Sequence, residues 1–429
     1  MDSTTAPSYD KALPINESLI DPRALRIIET LQEAGHEAYL VGGCLRDLLL
    51  GQQPKDFDIA TSARPQEVAA LFRNSRLIGR RFVLVHIFFG REFMEIATFR
   101  ASSEPHLYRQ DNRVVEDNVY GTMQEDVERR DFTINALYYN PKTHELIDLL
   151  HAKHDIENRL IRIVGDAQTR YLEDPVRMIR AARFAAKLDM ELEAETEAAI
   201  LPCLGQMSHV PPARLEDECN KLFLGGYGEA CFERLRRYDL FKALFPDADH
   251  ILHHPNQNFA HYSEQMIRIS LRNTDNRMRE GKPVTVAFIF AAILWPVFQL
   301  QYQGLLKSGH DWHHALHEAI DVVLIAANER VAISQRQRAM IREIWSLQAR
   351  LEATKNSKRK TDILVSHPRF RAAFDFLQVR LEAGEPLSAL VERWLPYHSL
   401  NHQEEEASYH LPPTQRKPFK RHFNKRRKS

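Results

Sequence analysis

The 429-residue chain reads as an α+β protein, a mixed α/β head followed by mainly α-helical neck and body domains. Three observations carry that expectation. Short β-rich runs such as "EAYLV" and "RFVLVHIFF" alternate with short helices only in the first third of the chain. From about Asp155 apolar residues recur at the helical period. From about Tyr397 the composition turns polar and then basic. The expected divisions are a disordered lead-in over 1–20, a head over 21–155, a neck over 156–245, a body over 246–395 and a disordered basic tail over 396–429.

The elements follow in order. Asp21-Pro22 has the order of a helix cap and first-turn residue, and Gly35 reads as the stop. "EAYLV" is a strand, Gly42-Gly43 a turn, and "CLRDLLL" a short helix ended by Gly51. "KDFDIAT" is strand-like and "RPQEVAALFR" helical. "RFVLVHIFF" and "EFMEIATF" flank Gly90-Arg91 as in a hairpin. Residues 101–127 show no period and read as a long flexible loop. Asp174-Pro175 opens the helix "VRMIRAARFAAKL", and Pro211-Pro212 opens "ARLEDECNKLF".

Composition bounds the partners. Lys+Arg and Asp+Glu both number 58, so the formal net charge is zero. The balance is uneven, because Arg416–Lys428 carries many basic residues, among them Lys420, Arg421, Arg426 and Arg427, and no acid. Such a segment does not fold alone and attracts polyanions. Cys44, Cys203, Cys219 and Cys231 form no CxxC pair, which argues against a disulfide framework or zinc site and fits a reduced cytoplasmic chain. The first residues lack the apolar core of a signal peptide. No run approaches the ~20 apolar residues of a membrane span, and Val284–Leu294 reads as a short buried helix.

The chemistry starts at Lys55-Asp56-Phe57-Asp58. On a strand, Asp56 and Asp58 share one face and Phe57 takes the other. Two adjacent carboxylates repel unless a cation neutralises them. All-oxygen ligands suit Mg²⁺ (or Mn²⁺), which prefers carboxylates plus substrate phosphates. For an isolated DxD, an exposed strand edge with two solvated acids is the better account. Gly42-Gly43, thirteen residues upstream between a strand and a helix, changes the weighting, since glycines there let backbone N–H groups approach a triphosphate. Arg46 follows in the first turn of that helix.

"LVGGCLRDLLLG…PKDFDIAT", "RRDFTINALYY" and "EDPVRMIRAARFAAKL", in this order, resemble the class II nucleotidyltransferases of the polymerase-β superfamily, which include bacterial poly(A) polymerases and CCA-adding enzymes. The resemblance covers roughly the first half of the chain. It implies a polymerase-β-like catalytic head, a neck that reads the nucleobase, and helical regions that hold RNA. It places metal binding on Asp56 and Asp58, and contacts to the ribose and triphosphate around Arg130 and Asp131. Asp131 is one candidate for a third catalytic acid; Glu95, in "FMEIATF", is the other. ATP is the implied substrate, RNA 3′ ends the implied partner, and RNA-decay proteins remain unnamed further partners.

Within "EDPVRMIR", Asp174 is expected at a helix N-cap with Arg177 three residues on, both facing one way. A carboxylate accepts from an exocyclic amine and a guanidinium donates to a ring nitrogen. Adenine and cytosine present that order of groups; guanine and uracil present the reverse. The pair thus admits ATP and CTP, unless it is merely an intrahelical capping ion pair.

Three features lean towards addition of AMP alone. "LIGRRFVLVH", with Arg80 and Arg81, looks like the signature of bacterial poly(A) polymerases, and the basic tail would add salt-dependent RNA affinity. Where CCA-adding enzymes often carry a Gly-Gly hinge, this chain has His151-Ala152. The expected activity is template-independent polyadenylation of RNA 3′ ends, promoting decay; CCA addition to tRNA is the alternative. The histidines at 253–254, 261, 310 and 313–314 read as structural or surface residues.

Overall fold

The computed structural model describes residues 15–79, 83–101, 109–110, 113–114, 119–354 and 357–409, the backbone alone at 109–110, 113–114 and 399–409. Arg80, Arg81 and the Lys420, Arg421, Arg426 and Arg427 tail lie outside them. The chain divides into two compact units, Met1–Val210 with Arg237–Leu240, and Pro211–Arg236 with Phe241–Ser429.

The first unit opens with helix α1 (Pro22–Glu33), capped by Asp21, whose Oδ1 accepts the Arg23 N–H at 2.8 Å. Then come β1 (Ala38–Val41), α2 (Gly43–Leu49), β2 (Asp58–Thr61), α3 (Pro65–Leu71), β3 (Ser75–Ile78), β4 (Leu84–Phe89) and β5 (Glu92–Thr98). A two-residue ladder pairs β6 (Arg109–Gln110) with β7 (Arg113–Val114), and α4 (Met123–Glu128), β8 (Tyr138–Asn140) and β9 (Glu145–Ile147) follow. Seven strands form one mixed sheet in the order β3-β4-β5-β2-β1-β8-β9. Only β2 and β5 pair in parallel; the other neighbours are antiparallel. Val41, Ala60, Phe99, Val127, Ala136, Tyr138 and Ile147 pack a core cluster around its central strands. Past the sheet lie α5 (Ala152–Glu157), β10 (Leu160–Ile161), α6 (Ala167–Glu173), α7 (Val176–Leu188), β11 (Glu191–Leu192), α8 (Ala194–Ala198) and α9 (Ile200–Cys203).

Three local expectations change. The lead-in is structured from Ile15: Ile15 and Ile20 are buried, and Tyr139 donates to Glu17. Residues 101–127 are not wholly loop, since they hold the β6–β7 ladder and start α4, where Thr122 and Glu125 form a capping box. Strand β3 was not foreseen, because "SRLI" at the sheet edge is largely exposed and lacks buried alternation.

Apart from Arg237 and Leu240, the second unit is built from α10 (Pro212–Phe223), α11 (Gly228–Arg237), α12 (Leu240–Leu244), α13 (Pro246–Leu252), α14 (Gln257–Arg279), α15 (Val286–Lys307), α16 (Trp312–Arg330), α17 (Gln335–Ala353), α18 (Lys358–Val365), α19 (Phe370–Glu382) and α20 (Ser388–Tyr409). Helix α15 is longer than the expected apolar stretch. Among the described residues it is the one helix long and apolar enough to cross a membrane, and 61% of its most apolar window is buried. It packs against α14, α16 and α17. Leu347, Leu351, Phe370, Phe374, Leu377 and Trp394 form a further core cluster. Helix α20 runs through residue 396 to Tyr409, so helix replaces part of the expected disordered tail.

Candidate active site

Strand β1 ends at Val41 and the chain turns at Gly42, whose φ of +77° falls where side-chain-bearing residues are strained. A Cβ at Gly42 would sit 3.3 Å from Nη1 of Arg130, and one at Gly43 3.3 Å from Nη2 of Arg46. The two glycines leave room for two guanidiniums behind the turn.

Strand β2 begins at Asp58, so the expected strand does not include Asp56. The alternation nevertheless holds, with Phe57 buried and Asp56 and Asp58 exposed. Crowding by surrounding protein pushes the Asp58 carboxyl up to about 6; Glu95 and Asp56 add to the rise, and Arg130 opposes it. The register Ile59↔Ile96 sets Glu95 beside Asp58 on the sheet face opposite those two buried isoleucines. Nε2 of His86 lies 3.3 Å from Oε2 of Glu95.

Asp131 has a different set of partners. Its Oδ2 accepts from Nε of Arg180 at 2.9 Å and from Nη2 of the same side chain. Its Oδ1 accepts from the Phe132 N–H at 2.8 Å and from Asn135 Nδ2 at 3.1 Å. Burial works to raise this carboxyl, but the Arg180 charge and these hydrogen bonds outweigh it and hold it below the ordinary value.

Arg130 donates to Tyr138 Oη at 2.8 Å, to the Asn135 carbonyl at 3.2 Å and to Asp126 Oδ2 at 3.1 Å. Arg46 is buried and donates to Asp47 Oδ1 and, at 2.6 Å, to Asn135 Oδ1. Asn135 therefore ties Arg46 to Asp131. The sequence reading passed over it, although it stands four residues after Asp131 in "RRDFTIN".

The Asp174/Arg177 expectation needs correction. Asp174 is the C-cap of α6, and Pro175, not Asp174, is the N-cap of α7. Asp174 Oδ1 still accepts from the Val176 N–H at 3.3 Å. Arg177 turns to the Arg170 carbonyl at 2.8 Å and Glu173 Oε2 at 2.9 Å. Arg180, three residues on, carries the contact to Asp131.

His151, at the expected hinge position, adopts a left-handed φ of +56°. Asp148 accepts from the backbone N–H groups of Leu150, Ala152 and Lys153 just beside it. Among the described residues, His310, His314 and Glu318 are the one group of three such donors within 4.8 Å of one another. The two histidines are exposed, as expected, and the Asp56, Asp58 and Glu95 oxygens do not converge that tightly.

A family model described as "Poly A polymerase head domain" matches residues 38–162, which enclose this cluster. Models described as "Probable RNA and SrmB- binding site of polymerase A" and "Polymerase A arginine-rich C-terminus" match 189–252 and 308–429. The chain is 41% identical to poly(A) polymerase I of Salmonella typhi over 393 residues, covering 89% of this chain and 83% of the relative. The chain belongs to the poly(A) polymerase family. Poly(A) polymerase I of Haemophilus influenzae, also 41% identical, matches 98% of the chain and 95% of its own length. A CCA-adding enzyme of Lactobacillus helveticus is 39% identical, but over only 49% of the chain. Among solved structures, the Bacillus stearothermophilus CCA-adding enzyme in complex with CTP aligns with a TM-score of 0.58 at 25% identity, covering 89% of this chain and 83% of that one. The Thermotoga maritima CCA-adding enzyme complexed with tRNA aligns with a TM-score of 0.60 at 20% identity, covering 90% and 86%, a likeness of fold. This poly(A) polymerase family member is a nucleotidyltransferase with a mixed-sheet head and a mostly helical remainder.

Proposed function

We propose that the chain transfers AMP from ATP to RNA 3′-hydroxyl ends, releasing pyrophosphate, with Asp56, Asp58 and Glu95 as the acids of the catalytic centre. The carrying observation is that the β2–β5 register sets Glu95 beside Asp58, two residues from Asp56. Burial raises the Asp58 carboxyl most, and the Glu95 and Asp56 charges add to the rise. Hard carboxylate oxygens fit Mg²⁺ or Mn²⁺, completed by substrate phosphates. When bound, such ions would activate the attacking hydroxyl and neutralise charge on the leaving pyrophosphate.

The protein's own groups do the rest. The Gly42 N–H is held by the Leu137 carbonyl, so at this turn Gly43 offers its backbone N–H to the triphosphate, and Arg130 and Arg46, fixed by Asp126, Tyr138 and Asn135, supply positive charge beside it. Asp131, saturated by Arg180 and Asn135, positions this wall rather than completing the metal site. Asp174 and Arg177 select the base after Arg177 leaves Glu173. The order of head, neck, body and tail is kept from the sequence, with the head starting by Ile15 and helix running to Tyr409, and with Arg80, Arg81 and the Lys420, Arg421, Arg426 and Arg427 tail holding RNA. Four buried free thiols suit a reducing cytoplasm.

Restriction to AMP draws support from His151-Ala152, whose side chains remove the backbone freedom that a Gly-Gly pair would have there. The test is incubation with Mg²⁺, an unstructured RNA primer and each nucleoside triphosphate singly. Long tails from ATP alone are expected. CTP-first addition confined to tRNA lacking its CCA end would overturn the reading.

A further inference from the structure

The sheet face that carries Asp58 and Glu95 continues across two more strands. The pairs His86↔Glu95 and Arg76↔His86 extend the row, so Asp58, Glu95, His86 and Arg76 line up over β2, β5, β4 and β3. One step along β5, about 7 Å from Glu95 by strand rise, the next row holds Phe93 opposite Phe88. The Phe93 ring stacks on the His86 ring with centroids 4.1 Å apart and planes 9° from parallel. It also lies 6.0 Å from the Phe88 ring, which Arg76 covers at 5.2 Å. Phe93 nonetheless keeps 51% of its surface exposed, while its neighbours along β5, Met94 and Ile96, are buried.

A large exposed aromatic beside a catalytic centre is costly unless something covers it in use. Here the ring is held rigid by its partner, so little conformational entropy is lost when a second planar group joins the stack. Charge narrows the choice of occupant. Arg76 is exposed on this face and Arg91 is exposed in the adjoining hairpin turn. The neighbouring acid, Glu92, is already paired with Arg23 at 2.6 Å. Aromatic rings interleaved with guanidiniums are the composition that binds single-stranded nucleic acid through base stacking and phosphate contact.

We propose that His86, Phe93 and Phe88 form a stacking platform for the terminal bases of single-stranded RNA, with Arg76 beside it, delivering the 3′ end towards Asp58. This rests on the reading of the protein as an RNA 3′-end polymerase. Stacking on a ring face is tolerant of base identity, which suits an enzyme whose primer sequence changes with each transcript and then becomes uniform.

The experiment compares wild type with Phe93→Ala, Phe93→Leu and Phe93→Trp. Two readouts are taken: primer and ATP KM values in the tailing assay, and anisotropy of fluorescein-labelled oligo(A) in the absence of ATP. Phe93→Leu keeps apolar bulk without a ring face, so folding, checked by thermal melting, is preserved. The expected result is roughly tenfold weaker oligo(A) binding and a matching rise in primer KM for the Ala and Leu variants, with ATP KM within about twofold and Trp restoring affinity. Wild-type affinity in Phe93→Leu would overturn the platform. Wild-type protein that binds oligo(A) but incorporates no nucleotide would overturn the polymerase reading, leaving the platform to be decided by anisotropy alone.

Discussion

Arg180 on α7 closes both Nε and Nη2 onto a single oxygen of Asp131, while Asn135 and a backbone N–H occupy the other. An acid with four donors is a structural keystone, and its partner is the residue whose loss exposes that role. Arg180→Ala should therefore destabilise the first unit by about 2–3 kcal/mol, below the cost of breaking a wholly buried pair because Arg180 is partly exposed. Urea melts of the full chain check this, and an unchanged midpoint would contradict it.

The two candidate third acids are expected to behave differently on substitution. Glu95→Gln should cut kcat on the order of 10²-fold or more while melting like wild type. Asp131→Asn should lose stability and raise the KM for ATP, with kcat at saturating ATP falling less. Matched steady-state kinetics and melts decide; a mild Glu95→Gln and a dead but stable Asp131→Asn would reverse the assignment.

Asp58 gives a pH prediction for metal-free protein. Its folded value of about 6 lies above the ordinary 3.8, so between those values the folded state binds more protons than the unfolded state. Stability tied to this group is full below 3.8 and is lost as pH rises to about 6. In EDTA, Asp58→Asn should show a smaller fall in melting temperature than wild type between pH 4.5 and 6.5. Parallel curves for the two proteins would count against the crowding.

At the turn, Gly42→Ala forces a side chain into a φ of +77° with its Cβ 3.3 Å from Arg130. Backbone strain of about 1–3 kcal/mol is expected, together with weaker ATP binding as Arg130 shifts. Equilibrium ATP binding and melting are measured together; full ATP affinity in the variant would remove the turn from the nucleotide site.

Much of this was legible in the chain. Asp21-Pro22 and Gly35 bounded α1, Gly42-Gly43 marked the turn after β1, and Gly90-Arg91 joined β4 to β5, because caps and turns are set by local stereochemistry. What escaped depended on distant partners. Arg180 looks like any solvated helix arginine until α7 is placed near Asp131, and Asn135 gains its role only from Arg46, 89 residues away. Asp174 was misplaced as an N-cap because Pro175 itself takes that position when α6 and α7 nearly abut. The nearness of Glu95 to Asp58 comes from the parallel register of β2 and β5, a long-range pairing that residue spacing does not encode.

The central claim is that Asp56 and Asp58 hold the catalytic cations. It is tested most directly by Mg²⁺-dependent AMP incorporation in Asp58→Asn, measured beside RNA binding by the same preparation. The account predicts that incorporation falls by at least about 10³-fold while RNA affinity stays within about twofold. Turnover near the wild-type rate would contradict it.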